Sequence, residues 1–146
     1  MSFSGGLGLT EPRQYSYSMI NTYQVGSAYL FNWKQTWLCS ILDFRYVPYV
    51  KSTEDFIYTL YWWKGLNKYK IEIAGDFSVW TENKNHGDSL SINESGKRFF
   101  FFGEPQFWFN LNKTLSMGSK INLYYNVLLY NNLFYCYPTL AIKYKF

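Results

Sequence analysis

The chain has 146 residues, enough for one domain spanning 1–146. It carries a formal net charge of +4, with only 16% charged residues, and no Lys/Arg run of the kind that follows a nucleic-acid backbone. Aromatic residues reach 23% (Tyr 15, Phe 13, Trp 6) although mean hydropathy is mildly polar, and no window approaches the roughly 18 consecutive apolar residues of a transmembrane helix. A helical membrane protein is excluded; a wall with one apolar face, one polar face and aromatic rims fits.

In chain order, strand signals fall at residues 2–9, 23–33, 36–47, 55–63, 69–82, 98–111, 117–128 and 133–146. The first is weakened by Gly5, Gly6 and Gly8. Most are near the roughly 9–11 residues that a tilted strand needs to cross a bilayer. No long 3.6-residue periodicity competes with them, so the expected fold is all-β: an antiparallel transmembrane β-barrel or open barrel fragment of about eight strands. The N-terminus lacks a basic segment followed by an apolar one. Because a barrel must be exported, either the sequence is a mature or truncated piece or the barrel reading fails.

The connections alternate in length. Those at 10–22, 48–54 and 83–97 are long or medium, and those at 34–35, 64–68 and 112–116 are short; 130–132 is also short. Outer-membrane barrels pair tight periplasmic turns with longer extracellular loops, and the longer connections here fall on one end.

Within strands the side chains alternate between faces. The closing segment places Phe134, Cys136, Pro138, Leu140, Ile142, Tyr144 and Phe146 against Tyr135, Tyr137, Thr139, Ala141, Lys143 and Lys145. Residues 69–82 oppose Ile71, Ile73, Phe77 and Val79 to Lys70, Glu72, Asp76 and Glu82. Charges in mid-strand require a wet or paired face. That face is a barrel lumen or the bulk-water side of a soluble sheet. Cys39 and Cys136 fall on opposite faces and read as two small thiols rather than a disulfide. Trp33, Trp37, Tyr46, Trp62 and Trp63, near strand ends, are expected at interfacial girdles.

If the strands close, the lumen is lined by Asp43, Arg45, Lys70, Glu72, Asp76, Trp80, Glu104, Gln106, Trp108, Lys120, Asn122 and Lys143. Mixed charges, amides and indoles suit a small polar solute with a flat ring. The competing expectation is that the charges pair and fill the interior. Catalysis is not expected: His86 stands alone, and no serine or cysteine nucleophile has a recognisable setting. No zinc spacing occurs, and Asn83, Asp88, Asn93 and Glu94 are too irregular for calcium. The Gly5–Gly8 stretch lacks the helix a phosphate loop needs. No cofactor or metal is expected.

The segment Gly103-Glu104-Pro105-Gln106-Phe107-Trp108-Phe109-Asn110-Leu111 resembles a strand of the Tsx-like outer-membrane proteins, the nucleoside-specific channel-forming family. Ile20-Asn21-Thr22-Tyr23-Gln24-Val25-Gly26, Gly75-Asp76-Phe77-Ser78-Val79-Trp80 and the closing residues Tyr137 to Phe146 resemble further strands of that family in the same order. The resemblance covers the family's C-terminal part; full-length members have a signal peptide and about twelve strands, against the eight read here, so the resemblance implies that N-terminal strands of a larger barrel and its leader are missing. It implies an outer-membrane channel of a Gram-negative bacterium, passing small polar solutes such as nucleosides. The implied partners are the lipid bilayer, that solute and, through the closing strand, the barrel-assembly machinery. Two other readings stay open: a soluble eight-stranded binding barrel for an apolar ligand, and a pore-less structural or adhesive membrane barrel. The soluble barrel inverts the faces, turning Leu140, Ile142 and Tyr144 inward.

Overall fold

The computed structural model describes residues 22–127 and 131–145. They form one antiparallel sheet of eight strands: β1 Tyr23–Trp33, β2 Thr36–Val47, β3 Thr53–Leu66, β4 Ile71–Asn83, β5 Lys97–Gly103, β6 Gln106–Asn110, β7 Leu115–Tyr125 and β8 Phe134–Tyr144. The expected strand at 2–9 and the terminal Phe146 lie outside the described residues. Among those residues no helix is long and apolar enough to cross a membrane.

Consecutive strands pair as a meander, with one refinement of the expected strand at 98–111. It is divided into β5 and β6, and both halves pair β4 on one side and β7 on the other. The register does not slip across the break: Phe77 faces Gly103 before it and Ala74 faces Gln106 after it. Pro105 has no amide hydrogen to give a neighbour, so regular pairing stops there. The Glu104 amide still donates to the Asp76 carbonyl at 2.8 Å, and the Ile121 amide donates to the Pro105 carbonyl at 3.0 Å. The strands keep their alignment across this point.

The tight connections, 34–35, 67–70 and 111–114, lie at one end of the sheet, here the turn end; the longer ones, 48–52, 84–96 and 126–133, lie at the other, the loop end. Lys34 and Gln35 both have positive φ (48° and 63°), the two-residue hairpin geometry whose twist matches the strands. Asn67, Lys68 and Tyr69 are left-handed as well (47°, 54°, 64°). Strand β4 therefore begins at Ile71, later than the alternation of Tyr69 and Lys70 suggested.

The described residues form one layer, and its two faces differ. The buried side chains Cys39, Asp43, Val47, Glu82, Phe100, Trp108 and Ser116 all lie on the polar face. Among the described residues no second layer packs over them, and they are covered by their own neighbours, as happens when a sheet curls and side chains converge on the concave side. The convex face carries Val25, Leu42, Phe56, Ile73, Phe107, Met117, Leu140 and Ile142, all exposed. Leu140 is 96% exposed and Ile142 71%.

Among the described residues, charges on the convex face occur only toward its margins: Glu54 and Lys97 at the loop end, Lys64 toward the turn end. Glu54 and Lys64 are ten residues apart on β3. That is about 33 Å along the strand, or about 25 Å after a tilt of roughly 40°. Within the band, the Ser40 hydroxyl donates to the Tyr58 hydroxyl at 3.2 Å, so polar atoms of the apolar face satisfy each other.

Of the expected girdle residues, Trp33, Tyr46 and Trp62 lie on the convex face, whereas Trp37 and Trp63 are paired on the concave one. Their odd numbers on β2 and β3 put them in phase with Asp43 and Tyr61. Cys39 and Cys136 are both free, the first buried and the second exposed, on opposite faces of the sheet. Strands β1 and β8 form the two edges, each paired on one side among the described residues.

Candidate functional site

The concave face collects charged and aromatic side chains into two clusters. Near the loop end, Arg45 on β2 reaches over β3 to Glu82 on β4, with Nη1 and Oε1 2.5 Å apart. The Trp80 indole donates to the same carboxylate oxygen at 3.1 Å, and the Tyr49 hydroxyl donates to the other at 3.3 Å. The Arg45 guanidinium lies 5.7 Å from the Trp80 ring, which stacks on Phe100 at 5.3 Å. Glu82 is 4% exposed, and this set of donors is what lets a carboxylate stay there.

A loop joins the same cluster. His86, in the 84–96 connection, stacks on Tyr49 at 3.9 Å with the rings 3° from parallel, and the Lys51 amide donates to the His86 carbonyl at 2.8 Å. Farther along, the Leu90 and Ser91 amides donate to one Asp88 carboxylate oxygen. Hydrogen bonds from Ser91, side chain first and then backbone, hold the Asp88 carboxyl below its usual range. The loop is thus a folded cap tied through Tyr49 to Glu82. Asp55, buried at the same end, accepts from Thr53, Thr81 and Lys97.

The second cluster is built around the Glu104–Pro105 break. Lys120 on β7 pairs with Glu104 at 2.8 Å, the Gln106 amide donates to Glu104 at 2.6 Å, and the Trp108 indole donates to the Gln106 carbonyl oxygen at 3.1 Å. Lys143 on β8 lies over the Trp108 ring at 4.6 Å and reaches Glu72 on β4 at 3.4 Å. Asn110 completes the group, donating to Glu72 at 2.7 Å and accepting from Ser116 at 2.5 Å. Small residues on β7 permit this: a Cβ on Gly118 would stand 2.2 Å from the Phe107 carbonyl oxygen and 2.7 Å from the Trp108 ring.

All the expected lining residues except Lys70 share the concave face by register, and the structure brings most of them into contact. Asp43 is buried there, over Gly26 of β1. Asn122 sits opposite Tyr137. Lys70 lies in the turn before β4, at the turn end of the face. Asp76 stands apart: no side chain among the described residues hydrogen-bonds it. It lies opposite Tyr61, between the two clusters. Sequence reasoning did not single out Glu82, Tyr61, Asn110 and Ser116 as lining residues. Glu82 was signalled by its place two residues beyond Trp80; the others depend on register.

A one-layer antiparallel sheet with an exposed apolar convex face and a charged, hydrogen-bonded concave face defines the class. The chain belongs to the family described as Domain of unknown function (DUF5020), whose model matches residues 1–146. No curated protein and no solved structure matches it.

Proposed function

We propose that this chain forms the wall of an outer-membrane β-barrel of a Gram-negative bacterium and lets small polar solutes, nucleosides among them, pass along its concave face. The observation that carries this reading is the disposition of the two faces. The convex side chains are large, apolar and exposed over a band of about 25 Å, with charges only at its margins. The soluble binding barrel needs the apolar set inside; the concave face instead carries Arg45, Glu82, Glu104, Lys120 and Lys143, which weighs against it. The resemblance of residues 103–111 to the Tsx-like strand adds the solute class. Those residues build the Glu104–Trp108 cluster on the concave face.

The short periplasmic turns and longer extracellular loops of such barrels place the turn end on the periplasmic side and the 84–96 cap outside. The closing strand β8, apolar outward, is the segment for the barrel-assembly machinery to recognise. In lipid no sheet edge stays unpaired, so β1 and β8 must be joined by further pairing, and the number of strands at closure sets the bore.

One set of observations favours a pore-less barrel: Arg45–Glu82, Lys120–Glu104 and Lys143–Glu72 are paired and fill space. Flux separates the two. Proteoliposomes holding the refolded chain are expected to take up uridine faster than empty liposomes, with sucrose lagging behind. Uridine uptake no faster than in empty vesicles assigns the protein a structural or adhesive role instead.

A further inference from the structure

At the turn end, a cleft of about 510 Å³ is lined by Lys68, Lys70, Lys113 and Lys145, with Tyr69 and Asn110 among its other walls. These lysines come from separate connections: the 67–70 turn, the 111–114 turn and the residue after β8. The turns that present them are held. Asn112 accepts from the Thr114 and Leu115 amides at 2.8 Å each, the Lys145 amide donates to the Thr114 carbonyl at 2.8 Å, and the Asn110 side chain donates to the Tyr69 carbonyl at 2.6 Å. The left-handed run Asn67–Lys68–Tyr69 is a costly backbone for residues with side chains, and it turns Lys68 and Tyr69 into this cleft.

Among the described residues the charge there is only partly compensated. No carboxylate among the described residues pairs with any of the four lysines. Glu72, the carboxylate that itself lines the cleft, is taken up by Lys143 and Asn110. Four like charges brought to one cleft repel one another, and an entering polyanion relieves that repulsion. Lysine ammonium groups suit phosphate oxygens as compact point charges.

We propose that this cleft is a binding site for a phosphate-bearing ligand, either a soluble phosphate ester or an anionic lipid headgroup. The site goes beyond solute passage and does not rest on it. Lys113 and Lys68 supply charge from opposite turns, Lys70 and Lys145 flank them, and Tyr69 offers a ring face to whatever the phosphate carries.

The test uses the full chain refolded in an uncharged maltoside detergent and titrated calorimetrically with pyrophosphate at low salt. Saturable binding is expected, weakened at least about tenfold by the double variant Lys68→Gln/Lys113→Gln, and weakened by raising salt. Lys51→Gln/Lys84→Gln, at the loop end, should leave it unchanged; circular dichroism verifies that both variants are folded. A second arm measures association with phosphatidylglycerol against phosphatidylcholine vesicles. Variant-sensitive binding of pyrophosphate assigns a soluble phosphate, and variant-sensitive binding of phosphatidylglycerol alone assigns a headgroup. Absence of both, or an equal loss in Lys51→Gln/Lys84→Gln, overturns the proposal.

Discussion

Replacing Leu140 by arginine is expected to cost about 2–4 kcal/mol of folding stability in a lipid bilayer, the penalty for a cation near the midplane of a barrel's outer surface. Leu140 is 96% exposed and sits midway along β8, between Pro138 and Ile142 on the same face. In water the same change on an exposed side chain falls within about 0.5 kcal/mol. The effect therefore reads the solvent outside the wall rather than the packing of the protein. Equilibrium refolding of Leu140→Arg in liposomes, followed by denaturant titration, measures it. A cost below about 0.5 kcal/mol means that water, not lipid, covers the convex face.

The second large effect lies on the other face. Glu82→Ala leaves Arg45 without its carboxylate, and Trp80 and Tyr49 without their acceptor. Both ion-pair partners are largely buried, their side chains 14% and 6% exposed. Breaking such a pair costs about 3–5 kcal/mol, mostly the penalty of an uncompensated buried charge. Arg45→Ala/Glu82→Ala is expected to be less destabilised than the sum of the single variants. Glu94→Ala, which removes a carboxylate 44% exposed and 3.1 Å from Arg98, is expected to cost less than Glu82→Ala because the lost partner is already hydrated. Chemical unfolding of the four variants under one set of conditions checks the order. Equal losses for Glu82→Ala and Glu94→Ala contradict a structural role for the Arg45–Glu82 cluster.

The two faces were legible in the sequence because a strand's period of two is local. Once Ile71, Ile73 and Phe77 alternate with Glu72 and Asp76, register need not be known to sort them. The residues of the concave face, Lys70 apart, followed from that alone, whereas the division at Pro105 of the strand expected over 98–111 into β5 and β6 did not. What was not legible depends on neighbours. Arg45 chooses Glu82 across an intervening strand, and Lys143 meets Glu72 because Ser116 and Gly118 leave room between them. Asn67, Lys68 and Tyr69 carry no glycine to announce a left-handed turn. The four-lysine cleft gathers residues from separate parts of the chain. Trp37 and Trp63 were placed by their nearness to strand ends, when the alternation already set them on the concave side.

The central claim is that lipid covers one face of this sheet and water the other. Spin labels placed singly at positions 137 to 142 of β8, in the chain reconstituted into liposomes, test it through collision with oxygen, which concentrates in lipid, and a water-soluble nickel chelate. Labels at Pro138, Leu140 and Ile142 are expected to favour oxygen, and those at Tyr137, Thr139 and Ala141 the chelate, alternating residue by residue. Equal access of the chelate to both sets contradicts a lipid-facing wall.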